Sequence, residues 1–213
     1  MKMYELFLTC PKGLESACKK EISQLLKNDI SIHEGGISLK GNIEDIYKIN
    51  LHSRIGMALL VKVIEFKFKN INNFYNSIYD YNWQTLIHVK NTFSVNTNII
   101  KRNSFLDNSQ FVNLKIKDAI CDRIRKSKGK RPEIDKKNPQ ISIRSIINSN
   151  TCTIYLNSSG NPLYIRGYKK NNHEASINES LASGLILLSD WNKENHFLDP
   201  MCGSGTIPLE ACM

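Results

Sequence analysis

The expected fold of the C-terminal region rests on the segment His196–Met213, HFLDPMCGSGTIPLEACM. An apolar segment runs into Asp199 and Pro200, a glycine-rich turn follows, and a helix-forming segment comes last. Many nucleotide-binding sheets open with this order of strand, acidic residue, G-x-G and helix. The glycines let the backbone approach a ligand, and the N–H groups at the start of the helix attract an anion. We therefore expect a strand, a ligand-binding turn and a first helix here.

Two common phosphate-binding patterns do not fit this turn. No lysine follows its second glycine, Gly205, so the turn is not a Walker loop. The third glycine of a dinucleotide-binding fingerprint is also missing. The pattern therefore favours a nucleotide-like cofactor that is not held by its phosphates.

The whole chain has the composition of a soluble globular protein. It has 213 residues, of which 41% are hydrophobic and 23% charged, enough for one large domain or two small ones. Its longest apolar runs are too short to cross a bilayer, and its first residues do not resemble a signal peptide. The six cysteines and five histidines show no CxxC pair and no zinc-ligand spacing. We expect a cytoplasmic protein without membrane spans, disulfides or metal.

Positive charge is concentrated in one part of the chain. The net charge is +9, and the segment Lys101–Arg131 alone holds ten basic and three acidic residues, a net charge of +7. A nucleic-acid phosphate backbone is a common partner of such a patch, because neutralising phosphates releases condensed counterions. The alternative is a solvated helix face followed by a basic loop.

Hydrophobic periodicity predicts a mixed order of strands and helices. A strand at 4–8, a helix at 14–26 and a hairpin around Gly35-Gly36 form the first part. A helix at 43–50, a strand at 55–68, a helix at 71–79 and a strand at 92–99 follow. The longest predicted helix is 108–128, with Gly129 and Pro132 ending it. Three strand-like runs come next, at 141–147, 151–156 and 163–165.

The segment Arg166–Ser176 is polar and aperiodic, which is typical of a linker. A capping box from Ser176 to Glu179 then predicts the start of another helix. The strand and glycine turn of the opening stretch follow that helix.

The string LDPMCGSGTIPLEA resembles the first motif of S-adenosylmethionine-dependent methyltransferases that act on RNA. The resemblance implies that the acid and the turn hold the methionine end of the cofactor and leave space for its adenosine. Asp199 would bond the cofactor's amino group, and Gly203 and Gly205 would admit its close approach to the backbone. Cys202 would be a packing residue. The cofactor residues implied are Asp199, Pro200, Cys202, Gly203, Ser204, Gly205 and Thr206. The alternative is a glycine turn without a ligand.

The rest of the chain is similar to the N-terminal part of the THUMP-domain RNA guanine-N2-methyltransferases, in particular those that modify 23S ribosomal RNA. The matching strings are PKGLESACKKEI, EGGISLKGN, NSQFVNLKIKDAI, RPEID and SGNPLYIRGYK. The resemblance implies an α+β fold. Its parts would be a ferredoxin-like unit (1–42), a THUMP RNA-binding domain (43–165), a linker (166–176) and the incomplete start of a Rossmann-like methyltransferase domain (177–213).

The same resemblance places candidate RNA contacts in the basic region and beside the linker. A helix start with polar side chains suits an RNA phosphate or end. Phe105 and Phe111 could stack on bases, although a place in the apolar core is the expected role for both. The candidate RNA-binding residues are Asn108, Ser109, Lys115, Lys117, Lys130, Arg131 and Arg166.

No catalytic residue can be assigned. The family's second motif, an acid or asparagine before two prolines and an aromatic residue, does not occur in these 213 residues. We therefore expect no methyl transfer and weak or no S-adenosylmethionine binding by this chain alone. Residues 177–213 are expected to pack against the THUMP part, swap between chains or be partly disordered. The open alternatives to a 23S ribosomal RNA enzyme are a stand-alone THUMP RNA-binding module and a transfer-RNA methyltransferase.

Overall fold

A computed structural model describes residues 2–102, 105–169 and 176–213, and they form two compact units. The first unit combines the chain up to Leu60 with Ser158–Met213, and the second is Val61–Asn157. Where the chain re-enters the first unit, Ser158 N donates to Leu59 O at 2.9 Å. The first unit is thus built from both ends of the sequence.

The first unit is a small sheet with helices. Strand β3 pairs antiparallel with both β1 and β2, and the strand order is β2-β3-β1-β4. Its elements are β1 (Tyr4–Thr9), α1 (Glu15–Leu25), β2 (Ile30–His33), β3 (Gly36–Gly41), α2 (Ile43–His52), the start of β4 (Ala58–Lys67), α5 (Glu179–Leu188) and α6 (Thr206–Cys212).

Local sequence explains two of these elements. The β2–β3 hairpin turns at Gly35, whose φ of +79° is a left-handed conformation that favours glycine. Helix α2 begins with a capping box, because the Asn42 side chain accepts from the Asp45 backbone and the Asp45 side chain accepts from the Asn42 backbone. The predicted hairpin and helix are therefore confirmed.

The second unit has a central pair of parallel strands. Strand β5 pairs parallel with β6 and β7, β7 pairs antiparallel with β8, and the order is β4-β8-β7-β5-β6. Its elements after β4 are α3 (Ile71–Tyr79), a short 3-10 helix (Trp83–Thr85), β5 (Thr92–Lys101), α4 (Ser109–Lys128), β6 (Glu133–Ile134), β7 (Ile141–Asn148) and β8 (Thr151–Asn157).

Helix α4 closes the core of the second unit as its periodicity predicts. It ends at Gly129, which adopts a φ of +73°. The indole N–H of Trp83, which is fully buried in the same core, donates to Ile78 O at 2.7 Å. The helix buries Val112, Ile116, Ala119, Ile120, Cys121 and Ile124.

The structure corrects three predictions of local structure. Residues 163–165 form a turn instead of a strand, with Ile165 N donating to Pro162 O at 3.0 Å. Helix α5 is capped by Asn178, which accepts from two backbone N–H groups, and not by Ser176. Residues 196–198 form no strand, because no other strand among the described residues pairs with them.

The C-terminal helices pack within the first unit. Helix α5 packs on α6 and on α1, whereas we expected residues 177–213 to pack on the THUMP part. Gly184 makes the approach to α1 close, because a Cβ there would lie 2.3 Å from Cδ1 of Leu14. The mixed α+β class is confirmed. Among the described residues, no helix is long and apolar enough to cross a bilayer.

Candidate cofactor turn and RNA interface

The glycine turn has the backbone that its sequence predicts. Gly203 and Gly205 adopt φ values of +54° and +74°. Gly205 N donates to Cys202 O at 2.8 Å, and helix α6 starts at the next residue, Thr206. Positive φ at both glycines disfavours any residue with a Cβ. The two glycines are therefore required by the shape of this turn.

The polar side chains of the turn are partly engaged in local bonds. Asp199 Oδ1 accepts from Met201 N at 3.1 Å, and the Ser204 hydroxyl lies 3.2 Å from those of Ser176 and Thr206. Thr206 is buried, whereas Pro200, Cys202, Gly203 and Ser204 are exposed. The seven predicted cofactor residues thus lie within one short segment, which is largely exposed as far as Ser204 and becomes buried at Thr206.

The turn has room for a ligand to approach. A Cβ on Gly205 would meet no atom within 4 Å, and one on Gly203 would meet only Met201 O at 4.0 Å. Asp199 Oδ2 has no hydrogen-bond partner in the part of the chain that the structure describes. The turn therefore fits a cofactor that offers an amino group to a carboxylate and lies against bare backbone.

A buried carboxylate lies five residues after the turn, at Glu210. Its oxygens accept from Arg54 Nη2 at 2.8 Å, from the Tyr168 hydroxyl at 2.6 Å and from the Ser183 hydroxyl at 2.5 Å. Arg166 also donates to it. We call these five residues the Glu210 cluster. The sequence analysis did not single out Glu210, although an acid within the apolar run TIPLEA is a signal that could have found it.

The Glu210 cluster holds its acid ionised. Burial opposes the charge of Glu210, but hydrogen bonds from Ser183, Tyr168 and Arg54 and the charge of Arg166 together lower its pKa. The pKa of Tyr168 is raised, first by burial and then because its hydroxyl donates to this carboxylate. The cluster is thus an ion-pair network around a buried carboxylate.

A cleft of about 500 Å³ lies beside the cluster in the first unit. Its lining includes Arg54, His52, Trp191 and Glu210, but none of the seven predicted cofactor residues. The cleft is therefore separate from the glycine turn. Within the described residues, no group of three His, Cys, Asp or Glu side chains is placed to hold a metal.

Of the two predicted RNA contacts at the start of α4, Asn108 already forms hydrogen bonds within the helix. The Asn108 side chain accepts from the backbone N–H groups of Gln110 and Phe111 at 2.8 and 3.2 Å, so it caps the helix. Ser109, the first residue of α4, is exposed. The capped helix start leaves the amide nitrogen of Asn108 for an external acceptor.

Farther along α4, an exposed aromatic ring lies beside one lysine, while a second lysine is paired with an acid. Phe111 is exposed and lies 5.5 Å from Lys115 Nζ, measured to the ring centroid. Lys117 pairs with the neighbouring Asp118 at 3.1 Å. Phe105 is exposed as well, so the expectation that both phenylalanines join the core is wrong. The α4 stripe that is buried starts at Val112, one position beyond Phe111.

The C-terminal end of α4 and the loop after it carry the largest share of exposed positive charge. Lys130 and Arg131 are both exposed. Arg131 pairs with Asp122 at 2.5 Å, and Arg125 contacts the same carboxylate at 3.3 Å. Two arginines therefore share one carboxylate, which leaves a net positive surface at the C-terminal end of α4.

Arg166, the remaining predicted RNA contact, is distant from α4 in sequence and has partners outside that helix. Its side chain is only 15% exposed and donates to Glu210 and to the Arg54 carbonyl. A guanidinium that is committed to a buried carboxylate is not free to bind phosphate. The structure therefore favours an internal role for Arg166.

A stacked tyrosine pair beside α4 was not foreseen from the sequence. Tyr75 and Tyr79 lie on α3 with ring centroids 6.1 Å apart and planes 19° apart. Arg123 and Lys126 each lie 5.8 Å from the Tyr79 ring. The i, i+4 spacing of the two tyrosines could have predicted that their rings lie together. Their contact with α4 could not have been predicted, because it depends on tertiary packing.

Comparisons with known proteins agree with the order of these parts. Residues 5–57 match the RlmL ferredoxin-like domain, residues 68–157 match the THUMP domain, and residues 166–213 match the RMKL-like methyltransferase domain. The glycine turn and Glu210 both lie in the last region.

Curated relatives match almost the whole chain. "Ribosomal RNA large subunit methyltransferase K/L" from Buchnera aphidicola is 38% identical over 99% of this chain, which covers 30% of that protein. The protein of the same name from Pseudomonas aeruginosa is 33% identical, again over 99% of this chain and 29% of its own length. The chain therefore spans under a third of the length of these relatives.

Solved structures share the fold. The crystal structure of a protein described as a predicted N6-adenine-specific DNA methylase from Listeria monocytogenes has a TM-score of 0.87 and 28% identity, covering all of this chain and 55% of that one. The crystal structure of SMU.472 in complex with SAH has a TM-score of 0.86 and 28% identity, covering all of this chain and 56% of that one. The chain therefore carries, in this order, an RlmL ferredoxin-like domain, a THUMP domain and a region that matches an RMKL-like methyltransferase domain, and it is similar over nearly its whole length to the ribosomal RNA large subunit methyltransferases K/L.

Proposed function

We propose that this chain is the RNA-binding part and the first cofactor-binding segment of an S-adenosylmethionine-dependent RNA methyltransferase. The observation that carries the proposal is the glycine turn, with positive φ at Gly203 and Gly205 inside the region that matches a methyltransferase domain. The SAH bound in a similar structure supports S-adenosylmethionine as the cofactor. The names of the curated relatives support ribosomal RNA of the large subunit as the substrate.

Guanine N2 of 23S ribosomal RNA is the proposed target. The proposal rests on the family resemblance of the sequence, since the names of similar proteins state different targets, including adenine N6 of DNA. A ribosomal RNA substrate also makes the cytoplasm the proposed location. The finer assignment therefore needs a direct test of the RNA.

The residues of this chain would bind and orient the reactants. When bound, S-adenosylmethionine would supply a methyl group that transfers from its sulfonium sulfur to a base amine, with S-adenosylhomocysteine as the leaving group and loss of a proton from the amine. Asp199 would accept a hydrogen bond from the amino group of the cofactor, and Gly203 and Gly205 would let it lie against the backbone. We propose no acid or base among these residues. Methyl transfer by the chain alone is therefore not expected.

Basic and polar residues of the second unit would bind the RNA backbone. The proposed contacts are Asn108, Ser109, Lys115, Lys117, Lys130 and Arg131. Phosphate contacts of this kind give affinity that falls with salt and depends little on sequence. Arg166 is assigned to the Glu210 cluster because its charge is already paired.

We also propose a domain organisation. The chain divides into a ferredoxin-like unit, a THUMP domain to residue 165, a linker at 166–176 and the start of a methyltransferase domain from 177. Although the sequence suggested a first boundary after residue 42, the ferredoxin-like match extends to residue 57 and favours a later one. Limited proteolysis followed by mass spectrometry would locate the boundaries.

A binding experiment tests the RNA assignment. Fluorescence anisotropy would measure the affinity of the 213-residue chain for 23S ribosomal RNA segments and for transfer RNA at several salt concentrations. We expect salt-dependent binding with a preference for the ribosomal segments. Tighter binding to transfer RNA than to the ribosomal segments would favour the transfer-RNA enzyme, and no binding to either RNA would remove the proposal.

A stand-alone RNA-binding module is the second candidate. The observation in its favour is that residues 196–198 form no strand, so the cofactor turn has no sheet around it among the described residues. Calorimetry with S-adenosylmethionine separates the two parts of the proposal. We expect weak or no binding to this chain and measurable binding once the remaining two thirds of a relative's length is supplied.

A further inference from the structure

Helix α6 joins the glycine turn to the rest of the first unit. It has seven residues, begins directly after Gly205 and carries Glu210 as its fifth residue. A helix of this length is unstable in water by itself, so its position must come from tertiary contacts. What holds α6 therefore also holds the turn.

The contacts that hold α6 converge on one carboxylate. The Glu210 side chain is fully buried and receives hydrogen bonds from three other segments of the first unit. Arg54 follows α2, Tyr168 and Arg166 lie in the linker, and Ser183 lies on α5. The Arg54 side chain also donates to the Glu210 carbonyl oxygen. Both the side chain and the backbone of Glu210 are thus tied to Arg54.

Charge makes these contacts specific to an acid. Moving a carboxylate out of water costs several kcal/mol unless it is paired. Two guanidiniums pair with Glu210, so removing its charge would leave two partly buried cations without their counter-ion. A neutral residue of the same shape would not replace it.

The described start of the linker, residues 166–169, supplies two of the donors and has contacts of its own. Lys169 Nζ donates to Ile177 O at 2.7 Å and lies 3.4 Å from a carboxylate oxygen of Glu179. The side chains of Lys169 and Glu179 are 13% and 10% exposed. Arg166 and Tyr168 are therefore held in place on the side that faces Glu210.

We propose that Glu210 is the positioning residue of the glycine turn: it fixes α6, and through α6 the turn, to the linker and to Arg54. The effect of Glu210 on cofactor binding rests on the proposed function, but the fixing of α6 and the turn by Glu210 does not. The Glu210 cluster then sets where the backbone of Gly203 and Gly205 is presented.

Hydrogen exchange of the 213-residue chain tests the proposal. Mass spectrometry would compare wild type with Glu210→Gln, which keeps the shape of the side chain and removes its charge. We expect at least tenfold faster exchange in peptides covering residues 203–212 and unchanged exchange in the second unit. Equal exchange in residues 203–212 would overturn the proposal, and so would equal acceleration throughout the protein.

Two further variants keep the test decisive. Glu194→Gln neutralises an exposed carboxylate of the same region and should leave all peptides unchanged. Tyr168→Phe removes one donor and keeps the ring, so it should accelerate residues 203–212 by a smaller factor. If Glu210→Gln does not fold, unchanged exchange in Tyr168→Phe refutes the anchor.

A pH profile separates positioning by charge from simple packing. The charged and titratable groups that contact Glu210 are Arg54, Arg166 and Tyr168, and the charge of Glu179 acts on Tyr168. Because the pKa of Glu210 is lowered from 4.5, its stabilisation is complete above that value and is lost as the pH falls through the lower folded pKa. The protection of residues 203–212 should fall there in wild type and stay flat in Glu210→Gln. A flat wild-type profile contradicts the proposal.

None of these measurements uses S-adenosylmethionine. Failure of the cofactor to bind once the rest of the methyltransferase domain is supplied would therefore count against the proposed function alone. Failure of the exchange pattern would count against the anchor alone.

Discussion

Arg131 and Asp122 form an ion pair in the second unit, with 2.5 Å between Arg131 Nη2 and Asp122 Oδ1. The same carboxylate lies 3.3 Å from Arg125 and accepts a hydrogen bond from the Tyr75 hydroxyl at 2.8 Å. Asp122 therefore organises the positive end of α4. It also partly neutralises the surface to which we assign RNA.

Replacing Lys115, Lys117 and Arg131 together by alanine should weaken RNA binding and its salt dependence. Each phosphate contact to a single strand contributes about 0.7 to the slope of log K against log salt, so the slope should fall by about 2. Anisotropy at several salt concentrations measures this change. The control is Lys12→Ala, Lys20→Ala and Lys48→Ala together, which removes the same charge from the first unit. An unchanged slope in the α4 variant would mean that the RNA surface lies elsewhere.

Asp122→Asn should strengthen RNA binding. The change frees Arg125 and Arg131 from their shared counter-ion, and we expect an affinity several-fold higher at low salt, with the gain screened at high salt. The same anisotropy assay measures it. Asp135→Asn is the matched control, because the side chain of Asp135 accepts only from backbone N–H groups among its described contacts. Weaker binding by Asp122→Asn would show that Asp122 supports the interface rather than masking it.

Alkaline pH should destabilise the second unit through Tyr75. Burial, followed by its hydrogen bond to Asp122, raises the pKa of this tyrosine from 10.0 to about 12. Its contribution to stability is complete below the unfolded value of 10.0 and is lost as the pH rises toward 12. Melting temperatures measured across this range should fall less steeply for Tyr75→Phe. Parallel curves for the two proteins would contradict this assignment.

Gly184→Ala should destabilise the first unit. A Cβ there would lie 2.3 Å from Cδ1 of Leu14, so either the Leu14 side chain shifts or α5 and α1 move apart, and overpacking of this kind costs about 1–3 kcal/mol. Urea unfolding followed by far-UV circular dichroism measures the free energy of unfolding. The double variant with Leu14→Ala should lose less stability than the sum of the two single variants, because the shorter side chain removes the clash. Additive losses would mean that Gly184 and Leu14 are not in contact.

Gly129→Ala is a test of the α4 terminus that involves no clash. Gly129 has a φ of +73° with open space around it, so the cost is backbone strain of about 1 kcal/mol. The free energy of unfolding should fall by that amount. Lys128→Ala, one residue earlier and exposed, should have little effect.

Much of the fold could be predicted from local pattern. The 3.6-residue period of α4 predicts its buried face. The glycines at 35 and 129 predict a hairpin turn and a helix end, and both adopt the positive φ that such positions require. Predictions were wrong where the pattern was short. Residues 163–165 look like a strand in composition, but Pro162 donates no hydrogen bond and a turn forms.

The candidate site could be predicted only in part, for a different reason. The glycine turn is contiguous, so its shape follows from its sequence. The Glu210 cluster joins Arg54 to Glu210 across a separation of 156 residues, and no periodicity links such positions. The exposure of Phe111 and the pairing of Arg166 likewise depend on tertiary packing.

The hydrogen bond from Ser158 N to Leu59 O joins the two points of the first unit at which the chain leaves it and returns to it. A segment whose entry and exit adjoin can be cut out and its ends rejoined with a short loop. The second unit is therefore an insertion in the sequence of the first, and another domain could be grafted between residues 60 and 158 in its place.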